Sequence, residues 1–333
     1  MQRQQQLTQW LHSQFPHEPF TIAPASADAS FRHYFRATFS DRSLIVMDAP
    51  PQHEDCRPFL HVAKLFGDAG THVPHVYAQD LEQGFLLLSD LGNTTYLQAL
   101  SDGNADTVRN LYGAATDALI KIQLATRENE LPPYNEAMLL REMRLFPEWY
   151  IAKHLNVTLN DAQNAKLETV FARIIANNLA QPCVYVHRDY HSRNLMVTEP
   201  NPGIIDFQDA VYGPITYDLA SLFKDAYIRW EEAQVIDWLI RYWEKARAAG
   251  LPVADDFSVF YRDYEWIGVQ RHLKVLGIFA RLYHRDGKDG YLKDLPRVMA
   301  YLRAACARYI DLKPLLNLLD TLEPHMTQEG YTF

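Results

Sequence analysis

Three side chains define the chemistry open to this sequence: Asp189, Asn194 and Asp206. They lie within residues 183–209, where His187-x-Asp189-x-His191-x-x-Asn194 is followed by Asp206-Phe207-Gln208-Asp209. Phosphoryl transfer to a hydroxyl passes through a loose, anionic transition state, so the protein supplies positioning, a base and ligands for magnesium. An Asp on a loop, an Asn a few residues later and an Asp on a following loop meet that need in this order. Asp189 is then the base, and Asn194 and Asp206 hold Mg2+ and with it the triphosphate of ATP. A loop aspartate also commonly bonds its own backbone, but that reading leaves Asn194 and Asp206 unexplained.

The elements around these residues must bring two polar clusters together. Residues 184–186, 195–197 and 204–205 are short apolar runs, and residues 198–203 between the last two carry two prolines and a glycine. That composition forces a turn and predicts a hairpin. Upstream, the pattern predicts a helix over 4–15, a β-hairpin within 20–49, a helix over 56–66 and strands at 73–78 and 85–89. Helices are expected over 106–125, 136–155 and 161–179, and after the hairpin from Thr216, around Trp238, over 264–280 and over 295–309. The order gives an α+β chain, strands first and helices after.

Beyond those spacings, His187-Arg-Asp189-Tyr-His191-Ser-Arg-Asn194, Ile205-Asp206-Phe207 and Tyr217-Asp218-Leu219-Ala220 resemble the aminoglycoside phosphotransferase and choline kinase branch of the protein-kinase-like fold. Residues 28–36, 45–51 and 54–59 are most similar to the bacterial sugar kinases that phosphorylate N-acetylmuramate and N-acetylglucosamine at the anomeric hydroxyl in cell-wall recycling. The resemblance implies a β-rich N-lobe over 1–91 and a larger helical C-lobe over 92–333. It implies backbone contacts from Ser89 and Leu91 to adenine, and a loop including Ser30 and Arg32 over the phosphates.

The chain departs from that pattern at one place. A strand lysine normally pairs with the phosphates, and Met47 stands there. Arg32 and Arg36 are the nearest replacements, with Arg32 preferred, and each is otherwise a solvated surface charge. Asp48 would repel phosphate, so it anchors an arginine or acts through metal. Residues 224–290 correspond to the acceptor pocket and hold eleven acidic and eleven basic residues, which removes the charge argument for a polycationic acceptor. Their aromatics suit a sugar wall or simple core packing. Arg262, Arg271 and His272 are candidates for a carboxylate on the acceptor, and Arg188 for grounding the loop or reaching the acceptor. His191 is read as a support of the loop, and Asp218 as a helix cap, a brace of the loop or a substrate contact. Two alternatives stay open: an amino-alcohol or aminoglycoside kinase, and a nucleotide-binding module without turnover.

Composition narrows the partners. A net charge of −9 argues against nucleic acid and anionic membranes, which call for clustered Lys and Arg. The three cysteines are far apart and show no metal spacing. Neither a signal core nor a membrane-length apolar run is present, so a cytoplasmic enzyme acting on a small amino sugar is expected.

Overall fold

The computed structural model describes residues 2–26, 31–101 and 103–323. Ser30 lies outside the described residues. The chain divides into two compact units, one formed by residues 1–125 and 193–209 and the other by 126–192 and 210–333.

The first unit is built on a sheet. Helix α1 (Gln2–Gln14) is followed by β1 (Thr21–Ser26), β2 (His33–Thr38), β3 (Ser43–Asp48), α2 (Cys56–Asp68), β4 (Val76–Asp80) and β5 (Phe85–Ser89). The five strands pair antiparallel in the order β1-β2-β3-β5-β4. Alternate residues of a strand face opposite sides, and Ala37, Phe39, Leu44, Val46, Phe85 and Leu87 form one buried cluster with Leu7, Trp10 and Leu11 of α1. Helix α1 therefore covers that face. The expected hairpin is a three-stranded meander, because β1, the segment Thr-Ile-Ala-Pro-Ala-Ser, pairs with β2 without an apolar run to announce it. Asp55 caps α2 by accepting the amide of Arg57 at 2.9 Å. Helices α3 (Tyr96–Leu100) and α4 (Ala105–Leu124) follow.

The chain then enters the second unit with α5 (Glu136–Leu145), a π-helical stretch Phe146–His154, α6 (Asp161–Leu179) and β6 (Cys183–Val186). The single helix expected over 136–155 changes winding at Phe146, next to Pro147, which lacks the N–H an α-helix would use. The hairpin β7 (Leu195–Met196) and β8 (Gly203–Ile204) belongs to the sheet unit, where His72 bridges to Gly203 and Thr95 to Met196. Returning to the second unit, β9 (Val211–Pro214) pairs with β6, and α7 (Tyr217–Phe223), α8 (Glu232–Ala248), α9 (Phe257–Asp286), α10 (Leu295–Arg308) and α11 (Lys313–Leu322) complete it. Helix α9 spans 30 residues, about 45 Å at 1.5 Å per residue, and is buried around most of its circumference from Tyr264 to Gly277. It is the spine of this unit. Among the described residues, no helix is long and apolar enough to cross a membrane.

Candidate active site

The loop bearing Asp189 leaves β6 and is held from beneath by two buried carboxylates. Asp218, at the start of α7, accepts the amides of His187 at 2.7 Å and Arg188 at 3.0 Å. Asp225, just past α7, accepts the amide of Ser192 at 2.9 Å. Of the roles open to Asp218, the structure shows the brace. The loop needs such bonds because Arg188 sits at φ +77°, a left-handed conformation worth about 1–3 kcal/mol of strain for a residue with a side chain. His187 is fully buried, and its Nδ1 accepts the amide of Asp189 at 3.2 Å. His191 donates its amide to the Asp189 carbonyl at 3.0 Å and sets its ring edge-on to Tyr227, centroids 5.4 Å apart. It supports the loop through its backbone amide and its ring packing, where a ring N–H bond to backbone was expected.

This turn leaves the Asp189 side chain 38% exposed. Burial of the loop alone would raise its pKa, but the nearby cations Lys274 and Arg271 outweigh that and hold the carboxyl below the usual aspartate range. Arg271 donates to the Arg188 carbonyl at 2.7 Å and lies 3.5 Å from Asp189 Oδ1. Asp189 is thus ionised at neutral pH and able to receive a hydrogen bond from an acceptor hydroxyl. Burial pushes Asp218 the other way, up to about 7, against the pull of its two N–H donors.

Under Arg188 and Lys274 lies Glu142 of α5, 5% exposed. Its Oε1 meets Arg188 Nη2 and, at 3.2 Å, Lys274 Nζ; its Oε2 receives the Tyr134 hydroxyl and, at 3.0 Å, Gln270 Nε2. Burial works to raise its pKa, yet Lys274 and Arg188 bring it down to about 2. The sequence reading missed Glu142, Gln270 and Lys274. A signal for the first existed: Leu139, Glu142 and Met143 share the buried stripe of α5, so a carboxylate interrupts an apolar face.

In the sheet unit, β7 and β8 place Asn194 and Asp206 at the open end of their hairpin. Leu195 pairs with Ile204, and the amide of Ile205 reaches the Asn194 carbonyl at 3.1 Å. Asn194 Nδ2 donates to Asp206 Oδ2 at 3.1 Å, and Gln208 Nε2 to Asp206 Oδ1 at 3.0 Å. Asp206 is itself at φ +63°. Phe207 follows it into the core, with its ring 4.9 Å from that of Phe59 on α2. The hairpin predicted from the Pro/Gly turn brings these two residues together.

The other expectations divide. Asp48 anchors an arginine, accepting Arg3 Nε at 2.8 Å and Nη2 at 2.6 Å. Met47 is fully buried and cross-strand from Tyr34 and Leu86, so its position is part of the sheet core. Arg36 is not a solvated charge. It forks onto Asp90, Nε to Oδ2 at 2.5 Å and Nη2 to Oδ1 at 3.0 Å, and also donates to the Gly92 carbonyl, which commits it to the segment after β5. Arg32 keeps only 12% of its side chain exposed and lies 3.9 Å from Glu54, so it too is drawn into the fold. The Ser89 amide is spent on the His75 carbonyl at 2.9 Å, and Leu91 is buried at the close of the same segment.

In the helical unit Arg262 is half exposed beside Asp263, nine residues before Arg271 on α9 and so about 13 Å away along the axis. The structure does not gather it with Arg271. His272 is 2% exposed and stacked on Tyr301, and burial together with Lys224 pushes its pKa well down. A neutral buried imidazole cannot serve as the cation for a carboxylate, which corrects that assignment. Of the proposed sugar-wall aromatics, Trp238, Tyr242, Tyr264 and Trp266 are core, while Tyr227 stands beside the loop.

Matches to solved structures define the class first: the fold is protein-kinase-like. An ADP-bound aminoglycoside phosphotransferase superposes with a TM-score of 0.60 at 14% identity, covering 89% of this chain and 97% of that one. A choline kinase from Streptococcus pneumoniae gives 0.60 at 13%, covering 93% and 100%. The chain belongs to the phosphotransferase enzyme family, whose model matches residues 21–254. It is 52% identical over 330 residues to an N-acetylmuramate/N-acetylglucosamine kinase of Pseudomonas aeruginosa, covering 96% of this chain and 97% of that protein. It is 51% identical over 336 residues to the enzyme of the same name from Neisseria meningitidis, covering all of both.

Proposed function

We propose that this phosphotransferase uses ATP with Mg2+ to phosphorylate the anomeric hydroxyl of N-acetylmuramate and N-acetylglucosamine. The observation that carries the acceptor is identity above 50% along whole chains with kinases of that name. The catalytic loop supports the chemistry. Asp189, ionised and held by a braced loop, accepts the proton of the attacking hydroxyl, and Asn194 and Asp206 are the magnesium ligands.

Those two residues fit the ion. A carboxylate and an amide carbonyl are hard oxygen donors, and magnesium is commonly held by one or two carboxylates plus substrate phosphates. The Asn194 amide nitrogen donates to Asp206, and its side-chain carbonyl oxygen is the atom whose chemistry suits the ion. When bound, magnesium neutralises charge on the phosphate oxygens. The anomeric position is favoured on chemical grounds too: a hemiacetal hydroxyl is more acidic than an ordinary alcohol, which suits a base whose pKa is held low.

The test is ADP release with magnesium-ATP against N-acetylmuramate, N-acetylglucosamine, kanamycin, choline and homoserine, with phosphorus NMR of the product. Anomeric phosphates on the two amino sugars are expected. Turnover confined to an amine would overturn the acceptor assignment, and magnesium-dependent ATP binding without turnover of any of the five would overturn the enzyme reading.

A further inference from the structure

The buried carboxylate beneath the loop has no role in the mechanism so far, yet all but one of the bonds described above lead to the loop or to the spine helix, the exception being that from Tyr134. Glu142 shares Oε1 between Arg188, the residue next to Asp189, and Lys274 of α9. Gln270, one turn before Lys274 on the same face of α9, and Tyr134 occupy Oε2. Arg271, between them, carries the other end of the arrangement: it bonds the Arg188 carbonyl at 2.7 Å and reaches Asp189 Oδ1 at 3.5 Å. Arg188 is therefore held at its guanidinium by Glu142, at its carbonyl by Arg271 and at its amide by Asp218. A left-handed residue fixed at three points aims the next side chain in one direction, and that side chain is Asp189.

Charge gives Glu142 a second task. Arg188, Arg271 and Lys274 all act on Asp189, and Lys274 is the strongest of them. Arg188 and Lys274 are turned to Glu142 at Oε1. Without a carboxylate there, Asp189 is the other carboxylate that acts on both. A base drawn toward two cations is turned from its aim and made less basic, so it takes the hydroxyl proton less readily.

We propose that Glu142 is a positioning residue for phosphoryl transfer, anchoring Arg188 and Lys274 and so fixing the turn that presents Asp189 to the acceptor. It touches neither substrate nor ATP and acts through Arg188. This inference rests on the assignment of Asp189 as the base.

The experiment compares the full-length wild type with Glu142→Gln, Glu142→Asp and the double variant Glu142→Gln/Lys274→Met. The readings are kcat and KM for the amino sugar, ATP affinity by calorimetry, and thermal melting. Glu142→Gln is expected to lower kcat about 100-fold, the scale of a misplaced reacting group, with KM and ATP affinity within threefold. Glu142→Asp keeps the charge and loses reach, and should fall between the two. The double variant removes one of the released cations and should recover kcat at least threefold over Glu142→Gln. A merely structural residue would lower melting temperature and all the constants together, and a cation removed from a weakened core would not restore turnover. The proposal is overturned by kcat within threefold of wild type in both single variants, by loss confined to KM, or by a double variant no faster than Glu142→Gln. If Glu142→Gln does not fold, Glu142→Asp decides by the same thresholds. Failure of the acceptor assignment shows separately, as a wild type inactive on both amino sugars, and kcat is then compared for phosphoryl transfer to water.

Discussion

The two units treat buried charge differently. In the sheet unit it is local and paired one to one: Arg3 forks onto Asp48 at the end of β3, and Arg36 onto Asp90 just past β5. Each pair reaches only adjoining strands and turns, with Arg3 also on the Gln83 carbonyl and Asp90 also accepting from Ser43 and Gly92. In the helical unit a single carboxylate, Glu142, receives two cations, a tyrosine and an amide from the catalytic loop, α9 and the segment before α5. Isolated pairs fix where a strand ends; a shared carboxylate makes a loop and a helix move as one. Positional tolerance is smallest at a general base, and beside Asp189, proposed above for that role, the chain uses the shared form.

The largest expected effects test this division of labour. Asp189→Asn should lower kcat by about 1,000-fold, within the range for loss of a general base, while leaving ATP affinity within a few-fold. Asp206→Asn should instead weaken magnesium-dependent ATP binding by tenfold or more. Calorimetry with and without magnesium, beside steady-state ADP release, separates the two. Parallel losses of binding and turnover in Asp189→Asn would remove the distinction.

Packing sharpens the same contrast. A Cβ at Gly277 on α9 would lie 2.4 Å from the carbonyl carbon of Leu145 and 2.5 Å from its Cβ, whereas a Cβ at Gly113 on α4 of the sheet unit would meet nothing within 4 Å. Gly277→Ala should therefore cost about 3 kcal/mol as the spine is pushed from the end of α5. Gly113→Ala should gain roughly 0.5–1 kcal/mol from helix propensity. Urea unfolding of the two variants reads both signs, and a neutral Gly277→Ala would mean that α9 does not set the packing of its unit.

The sequence disclosed the local arrangement of the proposed site better than its supports. Asp189, Asn194 and Asp206 were legible because their order reflects local constraints, a loop and a hairpin, and the Pro/Gly turn over 198–203 marks the hairpin directly. The helices over 106–125 and 161–179 were legible from their apolar stripes and fall within a residue of α4 and α6. Strand β9 was not, since Val-Tyr-Gly-Pro gains its partner only when β6 is beside it. Glu142 was overlooked for a related reason: its place on the apolar stripe of α5 was a faint signal, and its partners Arg188, Gln270 and Lys274 are reached only by long-range contacts. His272 was misread in the reverse direction, as a polar residue whose burial on α9 leaves it neutral.

Acid should weaken the contributions of Asp90 and Glu142, one in each unit, with the same sign. Asp90 has its pKa lowered: burial opposes ionisation, but Arg36, the Ser43 hydroxyl and the Gly92 amide outweigh it. Glu142 is lowered to about 2. A carboxyl depressed on folding contributes stability that is full above its unfolded pKa, about 4, and is lost as pH falls through the folded value. Both contributions should therefore decline below about pH 4.5, with that of Glu142 extending to about pH 2. Asp90→Asn, which keeps the shape and loses the charge, should cost about 2 kcal/mol at pH 7, the size of a charge-assisted hydrogen-bond set. It should also flatten the acid limb measured by urea midpoints, and an unchanged limb would show that Asp90 adds nothing to it.

The smallest effect concerns the loop carboxylates of the helical unit, where Asp189 and Asp218 are displaced in opposite directions. Asp189 stays ionised throughout the neutral range, so it contributes no titration to activity above pH 5. Asp218, pushed up to about 7 by burial, takes a proton just below neutrality. A protonated carboxyl turns a donor toward the amides of His187 and Arg188 that its oxygens accept, and the brace beneath Arg188 loosens. With only the ionised brace active, kcat at saturating magnesium-ATP should be level from pH 9 to about pH 8 and fall to about one tenth at pH 6. Stability should follow the opposite course from Asp90: a carboxyl raised on folding binds its proton more tightly in the native state, so its contribution is full below about pH 4 and is lost as pH rises through about 7. Activity and the Asp218 share of stability thus move in opposite directions with pH. A kcat profile flat from pH 6 to 9 would show that the two backbone donors keep Asp218 ionised, and that the loop is braced by charge at every pH at which the enzyme works.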